Sequence, residues 1–194
     1  MKKILIASRN IGKIKEYSEM LVPFGYQVLS LLDFDDTNEV EESGETFLEN
    51  AMIKASSVAI KYKMATIADD SGLSVDQLGG FPGVKSKRYS EEGTDAANNK
   101  LLLKNMRGLH DRKARFVCQI VYYHPDDGFK HYEGVLEGEI GHDEINGSGF
   151  GYDPVFWIPA LNKTMSQCSM IEKNSISHRG IALRKLLEDL RNHD

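Results

Sequence analysis

The chain has no long hydrophobic run. No stretch of its 194 residues can span a bilayer as a helix. Its first residues, Met1-Lys2-Lys3-Ile4-Leu5-Ile6-Ala7-Ser8, are basic and then apolar, but the apolar part is too short for a secretory signal. A cytoplasmic location with no membrane partner is the expectation. Cysteine is equally scarce. Cys118 and Cys168 show neither metal-ligand spacing nor a CxxC pattern, so a disulfide framework is excluded and a reducing compartment suits the chain. Cys118 lies in a strand-like run and reads as a small buried apolar residue. Positive charge is not in excess either. The net charge of -5 argues against a general nucleic-acid binder, which needs a basic face. There is no internal repeat, no low-complexity segment and no linker.

What is present is a soluble-protein balance, with 41% hydrophobic and 27% charged residues, in a length that buries a substantial core. The chain reads as one domain, residues 1–194. Its organising stretch is Ala65-Thr66-Ile67-Ala68-Asp69-Asp70-Ser71-Gly72-Leu73. A short apolar run, read as a buried strand, meets two adjacent carboxylates. A strand that ends there delivers charge to the lip of a sheet, where open α/β folds bind ligands. Two like charges side by side repel unless a cation lies near. The stretch therefore reads as a divalent-metal or general-base site, and its plainer alternative is a polar turn after a strand.

Before it, Lys3–Ser8 reads as a buried strand. Then come Ser8-Arg9-Asn10-Ile11-Gly12-Lys13 and a helix with Ile14, Tyr17, Leu21 and Phe24 on one face. Asn10 suits the N-cap. A strand, a glycine-containing turn and a lysine in the first helical turn can cradle a phosphate. The Walker pattern GxxxxGK[ST] is absent, and an ordinary capped helix fits equally. Gln27–Leu31 suggests a second strand. The acidic segment that follows holds Asp33, Asp35, Asp36, Glu39, Glu41, Glu42 and Glu45, any one of them a candidate metal ligand. Thr46-Phe47-Leu48-Glu49 is a capping box. The helix it opens has Phe47, Ala51, Ala55, Val58 and Tyr62 inward. Asn50 and Lys54, four apart, share one of its faces.

After the organising stretch, Leu73–Leu78 reads as a returning strand. Gly79-Gly80-Phe81-Pro82-Gly83 is a turn-rich loop, and Ser86-Lys87-Arg88-Tyr89 is locally basic. Thr94 caps a helix reaching about Met106. Ala114–His124, the turn Pro125-Asp126-Asp127-Gly128 and Phe129–Ile140 form a long hairpin that breaks the alternation of strand and helix. The fold expected is therefore α/β, with a mixed sheet and a second lobe built on the hairpin. Asn146-Gly147-Ser148-Gly149-Phe150-Gly151-Tyr152-Asp153-Pro154 spaces aromatics and a carboxylate with glycines, which let backbone approach a ligand. Val155–Ile158 reads as a strand. Lys173-Asn174-Ser175-Ile176-Ser177-His178-Arg179-Gly180 leads into the last helix, with Leu183, Leu186, Leu187 and Leu190 inward. His178 and Arg179 then oppose the helix dipole, a broken rule that marks either a site or a frayed start.

These segments converge on triphosphate chemistry. Lys13, Lys54, Lys173 and Arg179 are available as cations. Glu41 and Asp70 offer the oxygen ligands that Mg2+ prefers. A carboxylate beside the ion can orient or deprotonate water.

In this order the motifs resemble those of the inosine triphosphate pyrophosphatase family. They are Ser8-Arg9-Asn10-Ile11-Gly12-Lys13, Thr46-Phe47-Leu48-Glu49-Asn50-Ala51 with Lys54-Ala55, and Ala68-Asp69-Asp70-Ser71-Gly72-Leu73. Leu78-Gly79-Gly80-Phe81-Pro82-Gly83-Val84, Gly149-Phe150-Gly151-Tyr152-Asp153-Pro154 and Ser177-His178-Arg179-Gly180 complete the set. The resemblance spans Ile4 to Leu190. It implies an elongated mixed sheet with flanking helices forming two lobes around a central cleft. It also implies a homodimer and Mg2+-dependent hydrolysis of XTP, ITP or dITP to the monophosphate and pyrophosphate. On the matching positions, Ser8, Arg9, Asn10, Ile11, Gly12 and Lys13 resemble the phosphate and ribose loop. Glu41 and Asp70 resemble the metal ligands, with Asp70 also the general base. Lys54 and Ser71 look like phosphate contacts. Phe150, Gly151, Tyr152, Asp153, Lys173, His178 and Arg179 look like the nucleotide and base pocket, where Arg179 and backbone N–H groups can donate to the C6 oxygen of hypoxanthine or xanthine.

The chain departs from the family pattern in Ser8 for a usual Thr, Arg9 for a usual Gly, Lys87 for a small residue and Gln167 for a common Glu. Other readings are a Maf-like pyrophosphatase acting on pyrimidine or modified triphosphates, an aspartyl phosphatase using Asp69, and a nucleotide-binding regulator without turnover. The aspartyl phosphatase needs Asp-x-Asp, whereas this chain has adjacent aspartates.

Overall fold

The computed structural model describes residues 2–35 and 40–192. Seven strands form one mixed sheet, flanked by helices. The strands are β1 (Lys2–Ile6), β2 (Tyr26–Ser30), β3 (Thr66–Val75), β4 (Lys113–His124), β5 (Gly128–Ile140), β6 (Phe156–Ile158) and β7 (Lys163–Thr164). The helices are α1 (Ile11–Leu21), α2 (Phe47–Tyr62), α3 (Asp95–Asn105), α4 (Met170–Ile176) and α5 (His178–Asn192). The strand order is β2-β1-β3-β4-β5-β6-β7. β1 is parallel to both β2 and β3, whereas β6 is antiparallel to β5 and β7. Among the described residues no helix is long and apolar enough to cross a membrane.

Local sequence chemistry sets the helix starts. The Asn10 Oδ1 accepts from the Lys13 N–H at 3.1 Å, and Thr46 with Glu49 completes a reciprocal capping box on α2. Thr94 caps α3. α1 stops at Leu21, short of the expected Phe24, because Pro23 supplies no backbone N–H. Val22–Phe24 instead make a 3-10 turn, closed by Gly25 at φ +83°.

The chain divides into two compact units. The first comprises Met1–Asp70, Cys118–Gly134 and Arg179–Asp194; the second comprises Ser71–Val117 and Val135–His178. The first unit has a core on each side of its strands. Ile4, Ile6, Ile67, Cys118 and Ile120 pack with Tyr17 and Leu21 of α1 and with Leu183, Leu186 and Leu187 of α5. Leu5, Ala7, Ala68 and Val121 pack with Ala51, Ala55 and Val58 of α2. The two sets alternate along β1 and β3, as a two-residue period requires. Each large side chain so buried stabilises the unit by about 1.5–3 kcal/mol relative to exposure. The second unit has its own core, including Leu73, Val75, Phe116, Ile140, Tyr152 and Phe156.

The strand at Asp69-Asp70 does not end but runs on to Val75. Leu73 and Val75 are fully buried, so the apolar pattern resumes at once and holds the backbone extended. The expected return strand to Leu78 is replaced by a 3-10 turn, Asp76–Leu78, closed by Gly79 at φ +61°.

Candidate active site

Because β3 continues through both aspartates, their side chains leave on opposite faces of the strand. Asp69 follows Ile67 toward α1 and α5, while Asp70 follows Ala68 toward α2. The pair is therefore not a shared two-carboxylate clamp. Each carboxylate has its own cations.

On the α2 side, Asp70 Oδ2 accepts from Asn50 Nδ2 at 3.1 Å, and Asp70 Oδ1 lies 3.8 Å from Lys54 Nζ. Lys54 also donates to Glu42 Oε1 at 2.9 Å and to the Asp69 carbonyl at 2.7 Å. The shared face of Asn50 and Lys54 thus looks onto Asp70, and Lys54 is not the exposed lysine of an ordinary amphipathic helix. Burial pushes the Asp70 carboxyl above the ordinary carboxylate range, and Glu42 pushes it the same way against the opposing pull of Lys54, Asn50 and Lys13. Burial lowers the Lys54 ammonium, but Asp70, Asp69 and Glu42 outweigh it and leave it raised. A carboxyl with a raised pKa beside a lysine that stays charged is the pairing expected of an acid–base site.

Asp69 is gathered more tightly. Its Oδ2 meets Lys13 Nζ at 2.9 Å, Arg179 Nη2 at 3.2 Å and Arg179 Nε at 3.3 Å. Arg179 Nη1 donates to Glu16 Oε2. Burial disfavours the charged Arg179, yet Asp69 and then Glu16 overcome it and hold the guanidinium well above its usual value. Tyr17 closes the group from α1. Its phenol is raised by burial and by Asp69, so it stays neutral.

The remaining expected residues fall as follows. Ser8 Oγ accepts from the Asn10 N–H at 3.1 Å, tightening the turn before α1. Arg9 is half-buried and, unlike Lys63 and Asn162, takes no positive φ, so glycine is not required there. Ile11 is 75% exposed, and Gly12 lies in the first turn of α1. Ser71 is half-buried on β3. In the acidic segment, Glu41 is exposed, whereas Glu42 is the carboxylate at Lys54. Asp33 serves structure instead, accepting from the N–H and hydroxyl of Ser30. Asp36 and Glu39 lie outside the described residues.

In the second unit, Asp153 and Lys173 form a buried pair at 2.7 Å. The same Asp153 oxygen accepts from the Phe150 N–H at 2.9 Å, and Lys173 Nζ lies 4.4 Å from the Phe150 ring centroid. Gly151 donates its N–H to Asp95 and accepts at its carbonyl from Asn99. Tyr152 belongs to the core, with its hydroxyl donating to the Ser86 carbonyl at 2.8 Å, so its ring is not an open pocket wall. His178 is buried and stacked on Phe116, with centroids 4.8 Å apart. His178 and Arg179 are thus two buried residues, not an exposed helix start. Arg179 is aimed at Asp69 and Glu16, a different duty from the base contact expected of it.

Residues 4–189 match the pattern of the Ham1 family. The chain belongs to the Ham1 family. A relative from Bacillus licheniformis named dITP/XTP pyrophosphatase is 50% identical over 189 residues, covering 96% of each chain. The solved Staphylococcus aureus Ham1 protein superposes with a TM-score of 0.89 at 41% identity, covering 100% of both chains. A Ham1 protein from Coxiella burnetii gives a TM-score of 0.89 at 37% identity, covering 99% of this chain and 100% of its own. The resemblance read from the six motifs and the mixed α/β sheet are both borne out by the Ham1 matches. Glu16 and Glu42 are the site residues that the motifs did not single out. For Glu16 the only local signal is its position three residues after Lys13, on one helical face. For Glu42 the signal is its place in the acidic segment, which does not set it apart from the other candidate carboxylates there.

Proposed function

We propose that this protein hydrolyses the non-standard purine nucleoside triphosphates XTP, ITP and dITP to the monophosphate and pyrophosphate. The observation that carries the reading is Asp70, a buried carboxylate with a raised pKa held by Asn50 and Lys54 in a Ham1 chain. Asp70 takes the proton from a water that attacks the α-phosphorus, and pyrophosphate leaves. Lys54 and Lys13 bear on the phosphate charge. Ser8 to Lys13 and Ser71 supply further contacts through backbone N–H groups and hydroxyls.

Asp70 and Glu42 suit Mg2+. Both are oxygen donors, Glu42 bears on Asp70 as a like charge that a cation relieves, and the two reach the same lysine. Mg2+ is commonly held by one or two carboxylates together with substrate phosphates and waters, and the described residues contain no cluster of three or more acidic, His or Cys ligands. When bound, such an ion neutralises triphosphate charge and lowers the pKa of a coordinated water. Phe150 is the ring on which a purine stacks, and Lys173 is the donor we assign to the C6 oxygen. Adenine presents an amino donor at that position, which cannot accept from Lys173. Free buried cysteines suit a reducing cytoplasm, and light scattering tests the homodimer that the resemblance implies.

The test is release of pyrophosphate and of phosphate, followed in parallel with Mg2+, from ITP, dITP, XTP, ATP, GTP and dTTP. Pyrophosphate from ITP or XTP with little from ATP or GTP is the expected result. Preference for dTTP supports the Maf-like reading, and binding without turnover supports the regulator.

A further inference from the structure

We propose that Glu16 is a positioning residue for the phosphate-binding lysine, Lys13, acting through Arg179 and Asp69; this rests on the phosphate role proposed for Lys13 above. Lys13 and Glu16 are three residues apart on α1 and so project from one face. Glu16 accepts from Arg179 Nη1, on α5. Arg179 turns its other edge, Nε and Nη2, to Asp69 Oδ2. Lys13 Nζ reaches that same oxygen at 2.9 Å.

The cluster holds two carboxylates and two cations, so its formal charges cancel. Its burial is uneven. The Glu16, Arg179 and Asp69 side chains are 1–3% exposed, whereas Lys13 is 18% exposed. Lys13 is therefore the member that can meet a ligand, and the other three form its buried mount.

The geometry explains why Glu16 is needed. One Asp69 oxygen serves two cations. A guanidinium is a planar fork, and its direction is fixed when opposite edges are both anchored. Glu16 anchors the edge away from Asp69. Without Glu16 that edge loses its carboxylate anchor, the guanidinium shifts toward Asp69, and the oxygen that locates Lys13 moves with it. Charge alone does not give this result. Neutralising Glu16 makes the site more positive, which by attraction favours a triphosphate, whereas loss of the mount disfavours its reaction.

The experiment is a double-mutant cycle on kcat/KM for pyrophosphate release from ITP, with Glu16→Gln, Lys13→Ala and both together, run well below each variant's Tm. Glu16→Gln is expected to lower kcat/KM about tenfold in the wild-type background, in keeping with the cost of a displaced catalytic group. In the Lys13→Ala background it is expected to lower it less than about twofold, because the mount has nothing left to position. A role confined to folding lowers kcat/KM equally in both backgrounds, and that result overturns the proposal. So does a folded Glu16→Gln protein with unchanged or improved kcat/KM. If Glu16→Gln does not fold, Glu16→Asp replaces it, keeping the charge but withdrawing it by one methylene, with the same two outcomes. If the wild-type protein releases no pyrophosphate from ITP, the reading of the reaction fails; if the wild type is active and the cycle is additive, only this inference fails.

Discussion

Arg179→Met is expected to destabilise the protein severely, and the structure says where the cost arises. In the wild type, Arg179 is 3% exposed and joins Glu16 to Asp69. Met fills much of the same volume but carries no charge. Asp69 keeps Lys13 at 2.9 Å, so it is not stranded. Glu16, 3% exposed, keeps its charge and loses its arginine. Breaking a buried pair from one side costs about 3–5 kcal/mol, because the remaining charge is still out of water. For a protein of this size each kcal/mol moves Tm by about 2–4 °C, so Tm falls by roughly 6–20 °C. Glu16→Met added to Arg179→Met removes the buried carboxylate that lost its arginine, and the double variant is expected to recover at least half of the loss. Urea denaturation and calorimetry measure both. If Arg179→Met lies within about 1 kcal/mol of wild type, or the double variant is no more stable than the single, Arg179 is not the buried connector described here.

Other expectations follow from the same contacts. Asp70→Asn keeps the shape and loses the base, so kcat should fall at least about 100-fold with the fold intact by circular dichroism; activity within a few-fold of wild type removes Asp70 from the proton transfer. In metal-free protein, carboxyl NMR of Asp70 should show a pKa above the ordinary carboxylate value, because burial dominates. Glu42→Gln should move it down and Lys54→Met up, and a reversed order refutes the electrostatics. The sign for stability follows: a carboxyl whose folded pKa is raised favours the folded state below its unfolded pKa, and that contribution is lost as pH rises through the folded pKa. Gly149→Ala places a β-carbon about 2.2 Å from Asp153 Oδ2 at a backbone φ of +118°. It should cost about 1–3 kcal/mol in denaturation and loosen the Asp153–Lys173 pair, and a neutral result contradicts the packing.

Much of this structure was legible in the sequence because much of it is locally determined. Asn10 and Thr46 with Glu49 satisfy N–H groups three residues away, so spacing alone marks those helix starts. The hairpin at Pro125–Asp127 is marked by its turn residues. What stayed hidden depends on distant partners. Sequence alone ends the strand at Asp69-Asp70, because two charges rarely sit inside one; they are accommodated because Lys13, Arg179, Asn50 and Lys54 arrive from α1, α5 and α2. Glu16 and Arg179 are 163 residues apart, and no local pattern couples them. Glu41 and Glu42 are indistinguishable by composition, and only the path of the backbone puts Glu42 at Lys54. Tyr152 looked like a pocket aromatic among glycines, yet its hydroxyl finds the Ser86 carbonyl inside the second unit's core.

The central claim is hydrolysis of a purine triphosphate at its α-phosphorus. Turnover of ITP in 18O-labelled water tests it most directly, with mass spectrometry of both products. One labelled oxygen is expected in the monophosphate and none in the pyrophosphate. Label in pyrophosphate places the attack at the β-phosphorus, and labelled inorganic phosphate with a diphosphate product places it at the γ-phosphorus; either result contradicts the mechanism.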